Sequence, residues 1–183
     1  MKHSIKRQMI TVFLGLLTFL VLALLVINVK FLEPYYIRNK ETQFINMYEK
    51  LNEARENGTL DNEEVSSNLV HLAEKNNISF LVEDERGAVY TNVHDKNLLK
   101  NQLVGYFLNQ AQKESKILES TDEYQINQSW DPWNQNYYIE MWGTFDDGSQ
   151  FLLRSPLESI RESAAISNRF LVYIASFLIV ISI

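Results

Sequence analysis

Two apolar runs bracket a mixed middle in this chain of 183 residues. From Met9 to Val29 no residue is charged, a run of 21 residues. As a helix that run rises about 31 Å and crosses a hydrocarbon core of ~30 Å. A cleaved secretory leader has a shorter apolar centre and ends in small residues. Here "INVKFLEPYY" follows instead, so the run reads as an uncleaved membrane anchor. The second run, 170–183, has 14 residues. It would rise only about 21 Å as a helix. No charge, glycine or proline terminates it, and it reads as a second membrane helix cut short, with the chain the front part of a longer protein. A buried core helix is the alternative.

The segment between the runs, residues 30–169, has the size of one ordinary domain. Ile37, Phe44 and Leu51 recur every seven residues with Met47 and Tyr48 between them, an amphipathic stripe that stops at Asn57-Gly58. The anchor helix is therefore expected to continue, bent at Pro34, into the middle segment. Asp61 and Glu64 suggest a capped second helix with Val65, Leu69 and Leu72 inward. Two β-rich runs, 78–83 and 88–93, flank Asp84-Glu85-Arg86-Gly87 and predict a hairpin. A third helix is predicted over 97–112, with Leu99, Leu103, Tyr106 and Phe107 inward. Strands follow over 124–128, 137–145 and 150–154, the last two joined by the turn residues Asp146-Asp147-Gly148-Ser149. The order predicts an α+β fold: a five-stranded antiparallel sheet with flanking helices, set between two transmembrane helices.

Charge sharpens the arrangement. All 23 acidic residues lie between Glu33 and Glu162, while Lys2, Lys6 and Arg7 precede the first run. The positive-inside rule places residues 1–8 in the cytoplasm, 9–29 in the membrane and 30–169 outside the cell. The acidic middle argues against nucleic acid as a partner. There is no cysteine, hence no disulfide framework or thiolate metal site.

Ahead of the second run, Ser155-Pro156-Leu157-Glu158 fits a helix start, with Ser155 as cap, Pro156 in the first turn and Glu158 closing a capping box. Leu157, Ile160, Ala164, Ser167 and Leu171 then follow at alternating spacings of three and four, a seam that continues into the apolar run. Residues 155–169 are accordingly expected to form a juxtamembrane signalling helix, the alternative being a linker helix packed on its own domain.

Candidate chemistry is sparse. "WDPWNQNYYIEMW", residues 130–142, concentrates aromatic and polar side chains of the kind that line small-molecule pockets. On a strand Tyr138, Glu140 and Trp142 share one face, and Tyr137, Ile139 and Met141 share the other. The second face is the better core candidate. Tyr138, Glu140 and Trp142 are left for a pocket or a helix-packing surface, with Trp130 and Trp133 in a neighbouring loop either as further ligand contacts or dipping toward the membrane surface. Glu83-Asp84-Glu85 and Asp146-Asp147 read as solvated turns, and no metal site is expected. His3, His71 and His94 lie in no phospho-acceptor box, and the six glycines are too scattered for a nucleotide loop. No catalytic residue is identified.

"ISFLVEDERGAVYTN", residues 78–92, is similar to the strand–turn–strand core of extracytoplasmic PAS-like or Cache-type sensor domains. "LLRSPLESIRESAAISNRFLVYIASFLIVI" resembles the segment leading into the second membrane helix of transmembrane sensor histidine kinases of Gram-positive bacteria. The resemblance implies the input module of a two-component system: a homodimer, in contact with the lipid bilayer, that senses a small-molecule or peptide ligand and relays helix motion inward. A kinase domain using ATP and Mg, and through it a response regulator, would belong to cytoplasmic parts that this chain lacks. The same input module also serves chemoreceptors and nucleotide cyclases, and a tethered extracellular binding protein without output is the rival of another class.

Overall fold

The computed structural model describes residues 5–108, 115–132 and 134–182. The chain divides into two compact units, one of residues 1–36 with 159–183, the other of residues 37–158.

A single helix, α1, runs from Ile5 to Glu56, with Pro34 inside it. Its apolar run leaves large side chains such as Phe13, Leu16 and Phe19 exposed. The helix is long and apolar enough to cross a membrane. The last helix, α4, spans Glu158–Ser182. In the first unit Asn28 joins these two helices: its Nδ2 donates to Ser167 Oγ at 3.2 Å and to Asn168 Oδ1 at 2.9 Å.

The second unit is α+β. After α1 come α2 (Glu63–Lys75), β1 (Ser79–Glu83), β2 (Val89–Thr91), α3 (Lys96–Phe107), β3 (Lys116–Ser120), β4 (Tyr124–Asp131), β5 (Asn136–Thr144) and β6 (Gln150–Pro156). They form one six-stranded sheet in the order β2-β1-β6-β5-β4-β3, antiparallel throughout. The pattern predicted five strands. The sixth, β3, is a bulged edge strand whose five residues, KILES, are mostly polar and at least partly exposed, so it carries little hydrophobic alternation. The cap of α2 is Asn62, which accepts from the Glu64 and Val65 amides, rather than Asp61.

The amphipathic stripe of α1 supplies one core. Phe44, Met47 and Leu51 are fully buried, and the Tyr48 ring stacks on Phe145 at 5.4 Å and meets Phe151 at 5.2 Å. Ile126, Met141 and Leu153, in register across β4, β5 and β6, bury the sheet face of that side. On the other face Leu99, Leu103 and Tyr106 of α3 pack against Leu81 and Leu152. Phe107, predicted inward, stays 38% exposed. One close approach demands glycine: a Cβ on Gly143 would lie 2.2 Å from the Glu123 carbonyl oxygen. Gly87 takes φ +81° in the β1–β2 turn, where a side chain would be strained.

The stretch read as a capped helix start is instead the end of β6. Ser155 pairs with Ile139 and Pro156 with Tyr138. Ser155 is buried and its hydroxyl donates to the Asn77 carbonyl at 2.7 Å, so it does not cap α4. The Leu157 amide donates to the Tyr137 carbonyl at 2.8 Å, and the Leu157 side chain is fully buried in this unit, which removes it from the seam. Glu158 opens α4 and accepts from Asn136 Nδ2 at 2.8 Å instead of closing a capping box. Strand pairing to β5 outcompetes the local cap because it satisfies several backbone groups at once. Further along α4, the Ile160 and Ala164 side chains lie outside the described residues, Ser167 is exposed, and Leu171 is half-buried.

Candidate functional site

The strand register sets Asn127, Glu140 and Arg154 in one row across β4, β5 and β6. Residues in such a row share a face, and those an even number of places along each strand join them: Ser129 and Asp131, Tyr138 and Trp142. This is the face covered by α3, whose Gln102 and Tyr106, four residues apart, lie on one side of the helix.

Glu140 is the centre, with no exposed surface. Its carboxylate accepts from Gln102 Nε2 at 2.5 Å and, through short hydrogen bonds, from the Tyr106 and Ser129 hydroxyls. Arg154 Nε lies 2.8 Å from Glu140 Oε1. That is ion-pair distance, yet the N–H is not directed at the oxygen and makes no hydrogen bond. The same guanidinium bridges to Asp131 and rests 3.5 Å from the centroid of the Tyr138 ring. One buried cation is thus held between two carboxylates and over an aromatic face, where a planar guanidinium is favoured over an ammonium.

Burial pushes the Glu140 carboxyl upward, against the pull of Arg154 and of the Ser129 and Tyr106 donors. The Tyr106 hydroxyl is pushed up by burial first and then by the negative charge of Glu140. Both shifts favour protonated forms on this face.

Trp142 completes the site beside α3. Its ring stacks on Tyr106 at 5.1 Å and meets Phe107 edge-on at 5.3 Å. Among the described residues its buried Nε1 has no hydrogen-bond partner, and the fully buried Asn127 has none at either amide atom. An unmet buried polar atom costs about 1–3 kcal/mol.

Of the ligand candidates read from the sequence, Tyr138, Glu140 and Trp142 come together here, on the sheet face that α3 covers. Trp130 does not join them. It points to the opposite face and packs on Tyr137 at 4.8 Å. Trp133 lies outside the described residues. Sequence reasoning missed Arg154, Asp131, Ser129, Asn127 and Gln102. Arg154 carried a signal, being a cation in the apolar strand "QFLLRSP" at the alternation shared with Leu152. Elsewhere a cavity of about 350 Å³ lies between the end of α1 and α2, lined by Ala54, Val65, Leu69 and Leu72 with Asn57 and Asn68. Val65, Leu69 and Leu72, the stripe read from the sequence, line it, whereas the ligand candidates Trp130, Tyr138, Glu140 and Trp142 do not.

Compared with protein-family models, with curated proteins and with solved structures, the chain finds no match.

Proposed function

We propose that this chain is the input module of a transmembrane sensor histidine kinase, with a PAS-like extracytoplasmic domain that passes a stimulus inward by helix motion. The observation that carries the reading is the placement of the buried network on β6. Arg154, held by Glu140 and Asp131, stands four positions before Glu158, where α4 begins. A change of charge or occupancy around Arg154 therefore acts on the strand that feeds α4 directly. The entering helix supports the same reading, because α1 is continuous from its charge-free run into the apolar core of the sheet domain. In this reading Tyr138, Glu140 and Trp142 belong to the sensing face, and Ser167 and Leu171 to the helix that transmits. The active species is a homodimer in the bacterial cell membrane, acting on a response regulator through cytoplasmic domains outside this chain.

The test fuses the chain to a HAMP–kinase reporter and inserts one, two or three alanines after Arg169. Each insertion turns the following helix by about 100°. Output is expected to rise and fall with the phase of the insertion. Output that ignores the insertions would overturn the relay. The coding sequence downstream of residue 183 separates the outputs: a histidine box marks a kinase, long methylatable heptads a chemoreceptor, a cyclase motif a cyclase, and an early stop a tethered binding protein.

A further inference from the structure

The two unpartnered groups on the α3-covered face belong to one patch. Asn127 is the cross-strand partner of Glu140, and Trp142 lies two residues from Glu140 on the same face of β5. They are therefore diagonal neighbours, roughly 7–8 Å apart, a separation that one small molecule admitted beneath α3 would span. Asn127 presents an N–H donor and a carbonyl acceptor side by side, the complement of a primary carboxamide, whose C=O and syn N–H point the same way. The Trp142 indole offers a second donor for a carbonyl oxygen.

Charge narrows the ligand. Glu140 and Asp131 flank the patch with two carboxylates against the one cation of Arg154, which disfavours an anion. The Glu140 oxygens already accept from Gln102, Tyr106 and Ser129, which leaves an ammonium group no unengaged oxygen there. Apolar surface stands beside the orphaned atoms. Ile117, the cross-strand partner of Asn127 on β3, is 57% exposed, and Phe107 lies against Trp142. We propose that the patch between Asn127 and Trp142 binds a neutral, amide-bearing ligand with an apolar body, of the class of a short blocked peptide. The carbonyl of the ligand's terminal carboxamide accepts from Asn127 Nδ2 and Trp142 Nε1, its syn N–H donates to Asn127 Oδ1, and its side chain lies on Ile117 and Phe107. This names the stimulus class for the sensing face proposed above and rests on that reading only for its role in signalling.

The probe is N-acetyl-leucinamide, titrated by calorimetry into the full chain in lipid nanodiscs. Saturable binding is expected, with no competition from zwitterionic leucine or from hexan-1-ol. Asn127→Leu removes both orphaned atoms at similar volume. It is expected to melt no lower than the parent while binding about tenfold more weakly, the worth of one or two net hydrogen bonds. Trp142→Phe keeps an aromatic ring and loses only the indole donor, and should also weaken binding. It serves as the second variant if Asn127→Leu does not fold. Absence of saturable binding, equal competition by hexan-1-ol, or a folded variant that binds within about twofold of the parent would each overturn the site and leave bridging water as the partner of these atoms. Binding without any change in reporter output would retain the site and remove the sensor reading. Output that follows the alanine phase without amide binding would do the reverse.

Discussion

The two faces of the sheet are both buried, and their central rows are built from opposite materials, although Leu81 and Leu152 also meet Leu99 and Leu103 on the α3 side. Toward α1, Ile126, Met141, Leu153, Phe151 and Phe80 form a row-by-row apolar surface, closed by Phe44, Met47 and Leu51. Toward α3, the corresponding row is Asn127, Glu140 and Arg154, and the helix answers it with Gln102 and Tyr106. The first face stabilises by area and is indifferent to direction. The second depends on each group finding its partner, because buried charge without a partner is costly.

The sharpest way to break the contrast is Arg154→Ala. It leaves Glu140 and Asp131 buried without their shared cation and should cost about 3–5 kcal/mol in denaturant unfolding. The double change Arg154→Met with Glu140→Leu should recover much of that loss, since an apolar replacement of a buried pair is often neutral. Failure of the double variant to recover would mean that the polar face supplies net stability. On the apolar face, Leu51→Ala should cost about 2–5 kcal/mol through lost burial and a cavity. No second substitution in that row should be able to rescue it by charge.

A smaller effect is expected from pH. The folded Glu140 carboxyl lies above its ordinary value of 4.5. The folded state therefore holds this proton more tightly than the unfolded chain does. Its contribution is fully present below the unfolded value and is lost as pH rises through the folded one. Melting temperature of the parent should carry a component that falls as pH rises above that ordinary value. Glu140→Gln should lack this component, and a parallel pH profile for the two proteins would show that Glu140 does not titrate differently on folding. Smallest of all, Leu98→Ser on the exposed side of α3 should change stability by no more than about 0.5 kcal/mol, read from the same melts.

Much of the first face was legible in the chain. The seven-residue recurrence of Phe44 and Leu51 is a helical period, and the alternation in 137–145 is a strand period. Each reports burial of a large apolar face, which any sheet packed on a helix requires. The charge-free run of α1 was equally plain, since length and hydropathy alone bear on membrane crossing. The second face was half legible. Alternation put Tyr138, Glu140 and Trp142 together, yet it suggested that their side was the less buried one, because Glu140 is a carboxylate. What buries Glu140 is Arg154, fourteen residues on along the chain and opposite it only through the β5–β6 register, together with Tyr106 from α3.

The same distinction accounts for Ser155. Its local pattern, serine then proline with glutamate three residues after the serine, satisfies every rule for a helix start. The pairing with Ile139 and the hydrogen bond to Asn77, 78 residues away, made it a strand residue instead. The sequence by itself determined the periods, the apolar run of α1, the hairpin turn at Gly87 and the α+β class, because these depend on local sterics and on which side chains leave water. The tertiary structure alone decided the sixth strand, the end of β6 and the partners of Glu140. Those rest on cross-strand register and on charge compensation between segments far apart in the chain, and no local pattern records which distant group will satisfy a buried one.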